Sequence, residues 1–105
     1  MKDFWHQNRI YYSPVEFAMN YIGGTWKIPI LQALRNGPVR YGDLKKSIPH
    51  ITDKMLITQL RILEEKSMVT RQVYQEKPPR VDYALTARAK QALLVISHLE
   101  AYGAY

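Results

Sequence analysis

The sequence contains no cysteine, which excludes disulfide bonds, thiolate zinc sites and cysteine redox chemistry. It also lacks any apolar run near the ~20 residues that a membrane-spanning helix needs. No signal-peptide pattern stands at the N-terminus. We therefore expect a cytoplasmic protein that has no membrane partner.

Residues arranged for catalysis or for holding a cofactor are missing as well. No glycine-rich phosphate loop occurs, because Gly23-Gly24 alone is typical of a helix stop. No serine lies in a nucleophile elbow. The histidines are too widely separated to predict a metal site: His6, His50 and His98. We expect no catalytic residue, no metal and no cofactor.

What the chain does have is positive charge, concentrated in one segment. The 105 residues carry a net charge of +6, and residues 40–80 hold nine Lys or Arg against five Asp or Glu. Residues 81–105 are balanced. This distribution favours a polyanionic partner, here double-stranded DNA, over a basic surface that serves only solubility. The length and a hydrophobic content of 47% fit one domain over residues 1–105.

The first half of the chain predicts three helices. Ser13-Pro14-Val15-Glu16 has the pattern of a helix start with a capping box, and that helix stops at Gly23-Gly24. Thr25 is expected to cap a second helix that ends before Asn36. Residues 39–41 are predicted as a very short strand, and residues 42–48 as a third helix. Residues 1–12 are aromatic but show no clear periodicity.

Residues 52–65 predict an amphipathic helix with Thr52 at its N-cap. At 100° per residue its buried stripe is narrow and consists of Leu56, Leu60 and Leu63. Hydrogen-bonding and cationic side chains project from the opposite face: Lys54, Thr58 and Arg61. A helix of this kind suits insertion into a DNA major groove.

Two predicted strands follow, at residues 69–74 and 80–85, joined by the turn Gln75-Glu76-Lys77-Pro78-Pro79. A helix-turn-helix followed by such a hairpin is a winged helix. We therefore predict an α+β fold that is mostly helical: a winged helix-turn-helix with a C-terminal dimerisation helix.

The expected DNA contacts come from three places. Arg40, Tyr41 and Lys45 are expected over the backbone, and the wing, about residues 74–80, is expected at the adjacent minor groove or backbone. Residues of the fourth helix are expected in the major groove or at its phosphates. The full predicted set is Arg40, Tyr41, Lys45, Thr52, Lys54, Thr58, Gln59, Arg61, Lys77 and Arg80.

The last predicted helix, residues 86–102, has apolar residues on two faces. The first stripe contains Leu85, Ala89, Ala92, Ile96 and Leu99, and the second contains Leu94, Val95, His98 and Tyr102. A helix that is apolar on two sides needs two partners, which we expect to be its own domain and a second copy of the chain. The predicted dimer interface consists of Phe4, Trp5, Tyr11, Tyr12, Leu94, Val95, His98 and Tyr102.

Three segments carry a resemblance to a known family: residues 22–26, 54–65 and 78–86. In these, and over about residues 13–102, the chain resembles the HxlR-type winged-helix transcriptional regulators of bacteria. The resemblance implies a homodimer on a pseudo-palindromic operator. Many such proteins carry a sensing cysteine where this chain has Ser13, and a glycine where it has Ser67. Without a cysteine, any control of the protein is expected to come from a small molecule near the aromatic residues or simply from the protein's abundance.

Two other functions stay open at this point. The protein could be a winged helix that is used for protein–protein assembly and not for DNA binding. That role favours a neutral or apolar outer face on the fourth helix. A nonspecific architectural DNA binder would share the positive charge, and it differs by the ratio of its affinities for operator and random DNA.

Overall fold

The computed structural model describes residues 3–104, except for the side chain of Phe4. It begins with a β-hairpin that the sequence pattern does not predict: β1 (Phe4–His6) pairs antiparallel with β2 (Arg9–Tyr11). The turn residues Gln7 and Asn8 have φ of 49° and 63°. Positive φ at both positions is the type I′ geometry that favours hairpins, but it usually needs Gly after Asn or Asp, so the sequence carries no strong turn signal.

Helix α1 (Pro14–Ile22) begins as predicted, since the Glu16 N–H donates to Ser13 Oγ at 3.1 Å. The Glu16 carboxylate does not close the capping box on the Ser13 N–H. It accepts instead from the Tyr12 N–H at 3.1 Å and pairs with Arg9 at 3.2 Å. Glu16 therefore fastens the hairpin to α1.

The end of α1 explains Gly23 sterically. A Cβ at this position would lie 2.4 Å from the Met19 carbonyl oxygen, so no larger residue fits without a shift. The following Gly24 has φ of +94°, which an L side chain rarely adopts. The predicted helix stop is confirmed, and each glycine has its own reason.

Helix α2 (Lys27–Ala33) has Trp26 and not the predicted Thr25 at its N-cap, and no side chain caps it. Strand β3 (Val39–Arg40) and helix α3 (Tyr41–Ser47) follow. The helix starts one residue earlier than predicted because Arg40 already has extended backbone at the N-cap.

Helix α4 (Asp53–Glu65) is capped by Thr52, whose Oγ1 accepts from the Met55 N–H at 3.1 Å. The predicted stripe is confirmed, because three leucines of α4 are fully buried. They pack in one core with residues from α2, α3 and the sheet: Leu56, Leu60, Leu63, Ile30, Leu31, Leu34, Leu44, Met68, Val69 and Leu85.

The predicted wing is confirmed to the residue: β4 (Val69–Tyr74) and β5 (Arg80–Leu85) pair antiparallel. The sheet order is β3-β5-β4, which places the short β3 on the far side of β5. About half of the chain is helical and helices are its main elements, so the predicted α+β winged-helix fold is confirmed.

Helix α5 (Ala87–Gly103) is capped by Thr86 and buries Ala89 and Ile96 against the core. Leu99 belongs to the first predicted stripe of this helix, but it is 45% exposed and so lies outside the core. Near this end the Gln32 amide donates to the Glu100 carboxylate at 2.8 Å, which ties α5 to α2. Among residues 3–104 no helix is long and apolar enough to cross a membrane.

Candidate nucleic-acid interface

The outer face of α4 carries the side chains that the sequence singled out. Lys54, Thr58 and Arg61 are all exposed, and at 100° per residue they fall within an arc of about 60°. Among the residues that the structure describes, none of these three side chains makes a hydrogen bond or an ion pair. Their donors are therefore available to an external ligand.

Gln59 departs from the prediction. Its side chain is half-buried, and its Oε1 is buried and accepts no hydrogen bond within the described part of the chain. The physical reason is angular, since Gln59 lies about 100° from Thr58 and therefore beside the buried leucine stripe. Its amide is turned toward the protein and away from the exposed face of α4.

The start of α4 is held by α3 through one carboxylate. Asp53 accepts from Tyr41 Oη at 2.7 Å and from Lys45 Nζ at 3.1 Å. The Tyr41 hydroxyl and the Lys45 ammonium hold the pKa of Asp53 below its usual value. Burial, together with the bond to Asp53, raises the pKa of Tyr41 to about 12. We call these three residues the α3–α4 clamp.

The α3–α4 clamp changes the role of two predicted contacts. The Lys45 charge is compensated by Asp53, and the Tyr41 hydroxyl already donates its hydrogen to the same group. Both residues therefore position α4 in this structure. Arg40, one residue before α3, is exposed and forms no ion pair within 4 Å among the described residues.

The wing is braced by a buried acid. Arg80 donates from Nε and Nη2 to the two oxygens of Asp82, at 3.0 and 2.8 Å, and the Asp82 side chain is only 8% exposed. The bidentate bond holds the pKa of Asp82 below its usual value and that of Arg80 above its own. Arg80, predicted as a DNA contact, is committed to this pair, whereas Lys77 at the tip is exposed.

Arg71 was missed by the sequence analysis. It is exposed on β4 opposite Tyr83, and it faces a cavity that Arg40 and Arg61 also line. A signal existed, because counting back from the hairpin tip pairs Arg71 with Tyr83 on the same face of the sheet. The alternation Val81, Tyr83 and Leu85 shows that this face is the one turned toward the domain.

Other exposed side chains are large and mostly apolar, in contrast to these cations. On α5, Leu94 is 69% exposed, Tyr102 is 82% exposed, and Val95 and His98 are exposed as well. Near the N-terminus further large side chains are exposed: Trp5, Tyr12, Val15 and Met19.

One predicted interface residue does not fit that surface. Tyr11 is only 3% exposed, because it packs inside its own protomer, with its ring perpendicular to the Phe17 ring and 5.0 Å between the ring centroids. It has little surface left for a partner. The predicted contribution of Phe4 lies outside the side chains that the structure describes.

Among the described residues, no group of three or more His, Cys, Asp or Glu is arranged to hold a metal ion. The exposed side chains of Lys54, Thr58 and Arg61 on α4 and of Lys77 at the wing tip are cations and a hydroxyl, which recognise phosphates and base edges by hydrogen bonds. The arrangement is a binding surface.

Comparisons with known proteins agree with this geometry. The model of the HxlR-like helix-turn-helix family matches residues 21–105. An HTH-type transcriptional regulator of the archaeon Methanothermobacter thermautotrophicus is 41% identical over 93 residues, which cover 89% of this chain and 71% of the relative. The relatives are therefore not confined to bacteria.

Two solved structures share the fold. A regulator of the MarR family from Porphyromonas gingivalis has a TM-score of 0.84 at 36% identity, covering 88% of this chain and 90% of its own. The oxidized form of the redox regulator HypR has a TM-score of 0.81 at 35% identity, covering 87% and 94%.

These proteins are transcriptional regulators and not enzymes, and the winged-helix fold is the one that they share. The match covers most of the chain, and it includes α4 and the wing. The chain belongs to the HxlR-like helix-turn-helix family, and it is a transcriptional regulator with a helix-turn-helix DNA-binding fold.

Proposed function

We propose that the protein is a homodimeric, sequence-specific regulator that inserts α4 into the major groove of a pseudo-palindromic operator. The observation that carries this proposal is the outer face of α4. Lys54, Thr58 and Arg61 are exposed and unpaired among the described residues, on a helix whose opposite face is fully buried. A rigid helix with such a face can read base edges, since Arg pairs bidentately with guanine and hydroxyls accept or donate in the groove.

The surroundings of α4 support phosphate contacts on both sides. Arg40 lies before α3, and Lys77 lies at the tip of the wing, where each can reach a strand of the backbone or the adjacent minor groove. Thr52 caps α4 through its hydroxyl oxygen, and its hydroxyl hydrogen is not used in that bond. Helix N-termini attract phosphates, so this end of α4 suits the backbone.

The proposed twofold dimer rests on the apolar surface of α5. Leu94, Val95 and Tyr102 are not covered by any of the residues that the structure describes, and exposed apolar surface of this kind marks interaction sites. A twofold dimer presents two copies of α4 to half-sites about one helical turn apart. We place this regulator in the cytoplasm, where bacterial and archaeal chromosomes lie.

The test begins with selection of preferred sites from a random duplex library, followed by fluorescence anisotropy on the selected duplex. We expect Lys54→Ala and Arg61→Ala each to weaken binding by about 1–3 kcal/mol while leaving thermal stability unchanged. A base contact relaxes the selected sequence at one position, whereas a phosphate contact weakens all sequences alike.

Arg35→Ala serves as the control, because Arg35 is exposed in the loop after α2 and away from α4. Wild-type affinity in both α4 variants contradicts the groove assignment. A selection that enriches no sequence, together with equal affinity for random DNA, indicates a nonspecific architectural binder instead.

A further inference from the structure

A cavity of about 740 Å³ lies between α4, the start of α3 and the wing. Small-molecule sites in proteins usually measure roughly 300–1,000 Å³. Its walls come from separate elements, namely Ile57 and Arg61 on α4, Tyr41 on α3, Arg71 on β4 and the prolines of the wing tip. The cavity is therefore shaped by the tertiary fold and not by one local loop.

The cavity carries an excess of positive charge. Arg40, Arg61 and Arg71 line it from three elements, and none forms an ion pair within 4 Å in the described part of the chain. Arg40 lies opposite Asp82 on β5 and helps to hold the pKa of that acid below its usual value, so Arg61 and Arg71 are the cations that remain for a ligand. Two carboxylates also line it, Glu64 and Glu76, and Glu76 lies 4.0 Å from the Arg80 guanidinium. Arg80 is already compensated by Asp82.

The remaining wall is apolar and partly flat. Ile57 is 46% exposed toward this side of α4, and Pro78 and Pro79 face it from the wing. The rings of Tyr41 and Tyr83 complete the lining. Planar rings stack on aromatic faces and on guanidinium planes, so this wall suits a flat organic molecule.

We propose that this cavity binds a small planar organic anion, an aromatic carboxylate, and that the bound anion competes with DNA. The carboxylate pairs with Arg71 and Arg61, whose forked donors match its two oxygens. A DNA phosphate offers the same anionic chemistry, but it gains nothing from Ile57 and the prolines. That apolar wall favours the organic anion.

Competition follows from shared groups and rests on the proposed function. Arg61 projects from the face of α4 that we place in the groove, and Arg40 precedes α3 on the side of the backbone. A ligand that holds these guanidinium groups inside the cavity removes them from DNA. The expected outcome is release of the operator when the anion accumulates.

Binding is tested first without DNA, by isothermal titration calorimetry and NMR titration with 2-naphthoate. We expect saturable binding, with shifted resonances at Ile57 and Arg71. Arg71→Gln should weaken it about tenfold, as loss of a charge-assisted hydrogen bond does. Ile57→Glu, which places a carboxylate in the cavity, should abolish it. Arg35→Gln, an arginine outside the cavity, should leave it unchanged.

Two further ligands separate the sources of the anion. The neutral 2-naphthamide should bind much more weakly than 2-naphthoate, and inorganic phosphate should not displace 2-naphthoate at equal concentration. No saturable binding, equal affinity for the amide, or full retention in Arg71→Gln overturns the proposal. Preferential binding of phosphate also overturns it and indicates that the cavity binds only the phosphates of the DNA backbone.

The last measurement adds 2-naphthoate to the protein–DNA complex. Displacement from wild type but not from Arg71→Gln supports competition, and a ternary complex contradicts it. Failure of the DNA proposal is seen separately, as absence of DNA binding without ligand.

Discussion

Ser67 ends α4 in the left-handed region, with φ of +59°. The Met68 N–H donates to the Leu63 carbonyl at 2.8 Å, and the Ser67 N–H donates to the Glu64 carbonyl at 3.0 Å. This pair of bonds is the Schellman motif, which places a left-handed residue directly after the helix cap. Serine fills that position at a cost, because its Cβ crowds the backbone in this conformation.

Ser67→Gly should therefore stabilise the fold by about 0.5–1 kcal/mol, since glycine adopts positive φ without crowding. Ser97→Gly is the matched control, because Ser97 is exposed within α5 and glycine there should destabilise by about 0.5–1 kcal/mol. Both values come from urea denaturation at one protein concentration. If both substitutions change the free energy of unfolding in the same direction, the conformational explanation is contradicted.

Ser13 caps α1 through its hydroxyl oxygen, and the chain holds no thiol anywhere. DNA binding should consequently be unchanged by diamide, and by peroxide or hypochlorite at doses that act only on thiols. The measurement is anisotropy on the selected duplex before and after treatment. A loss of binding that dithiothreitol restores would overturn this expectation. The four methionines oxidise by a separate and slower route.

At the scale of elements, the ion pair between Arg80 and the buried Asp82 braces the wing. Because Arg80 lowers the pKa of Asp82, the folded chain favours the carboxylate more than the unfolded chain does. The stabilisation is present above the ordinary carboxyl pKa of 3.8 and is lost as the pH falls through the lowered value. Acid should therefore loosen β4 and β5.

This expectation is measured by NMR, as amide protection factors of β4 and β5 from pH 7 down to about pH 2, because the loss is expected only below the ordinary carboxyl pKa. Asp82→Asn should lower protection in the wing already at neutral pH and remove its acid dependence. The local readout matters because the pKa of Asp53 is lowered as well, and Asp53 acts at the α3–α4 clamp. Unchanged wing protection in Asp82→Asn argues against a bracing role.

Elements whose signals are local and strong were predictable from the sequence. The wing and α4 combine alternation or helical periodicity with clear caps, and both match the structure closely. The N-terminal hairpin was not predictable, because Gln7-Asn8 is a weak turn signal. The hairpin is held by contacts with α1, such as Arg9 with Glu16, that local patterns do not show.

The exposed residues of α4 could be predicted from the sequence, but which cations are paired with acids was not predicted. Periodicity alone places Lys54, Thr58 and Arg61 on the exposed face of α4. Composition cannot tell which cations are already compensated. Lys45 meets Asp53 only because α3 packs on α4. Arg80 meets Asp82 because residues i and i+2 of a strand lie on the same face, a local pairing that the sequence analysis missed. The cavity also depends on the tertiary fold, since its walls come from five elements that are separate in the sequence: β3, α3, α4, β4 and β5.

The whole molecule is more extended than its length requires. Its radius of gyration is 15.1 Å, against about 13 Å for a compact domain of this size. The long α5 carries exposed Leu94, Val95 and Tyr102. A shape with this much uncovered apolar surface supports the proposed second protomer.

Leu94→Glu combined with Tyr102→Glu should convert the proposed dimer into monomer, because charge in an apolar interface is costly to bury. Sedimentation equilibrium at micromolar concentration measures the change. Gln72→Glu combined with Gln75→Glu adds the same charge on the exposed wing and should leave the dimer intact. A wild-type protein that sediments as a monomer contradicts the homodimer and leaves the α5 surface without a partner.

The α3–α4 clamp has a calorimetric consequence. Thr52 caps α4, three leucines bury one face of it, and Asp53 fixes its first turn to α3 before any DNA is present. Recognition segments that fold on binding bury roughly 1,000–3,000 Å² and show a large negative heat-capacity change. Here the reading helix is already formed. The heat-capacity change of operator binding should reflect the interface alone, and the binding enthalpy should therefore change little with temperature.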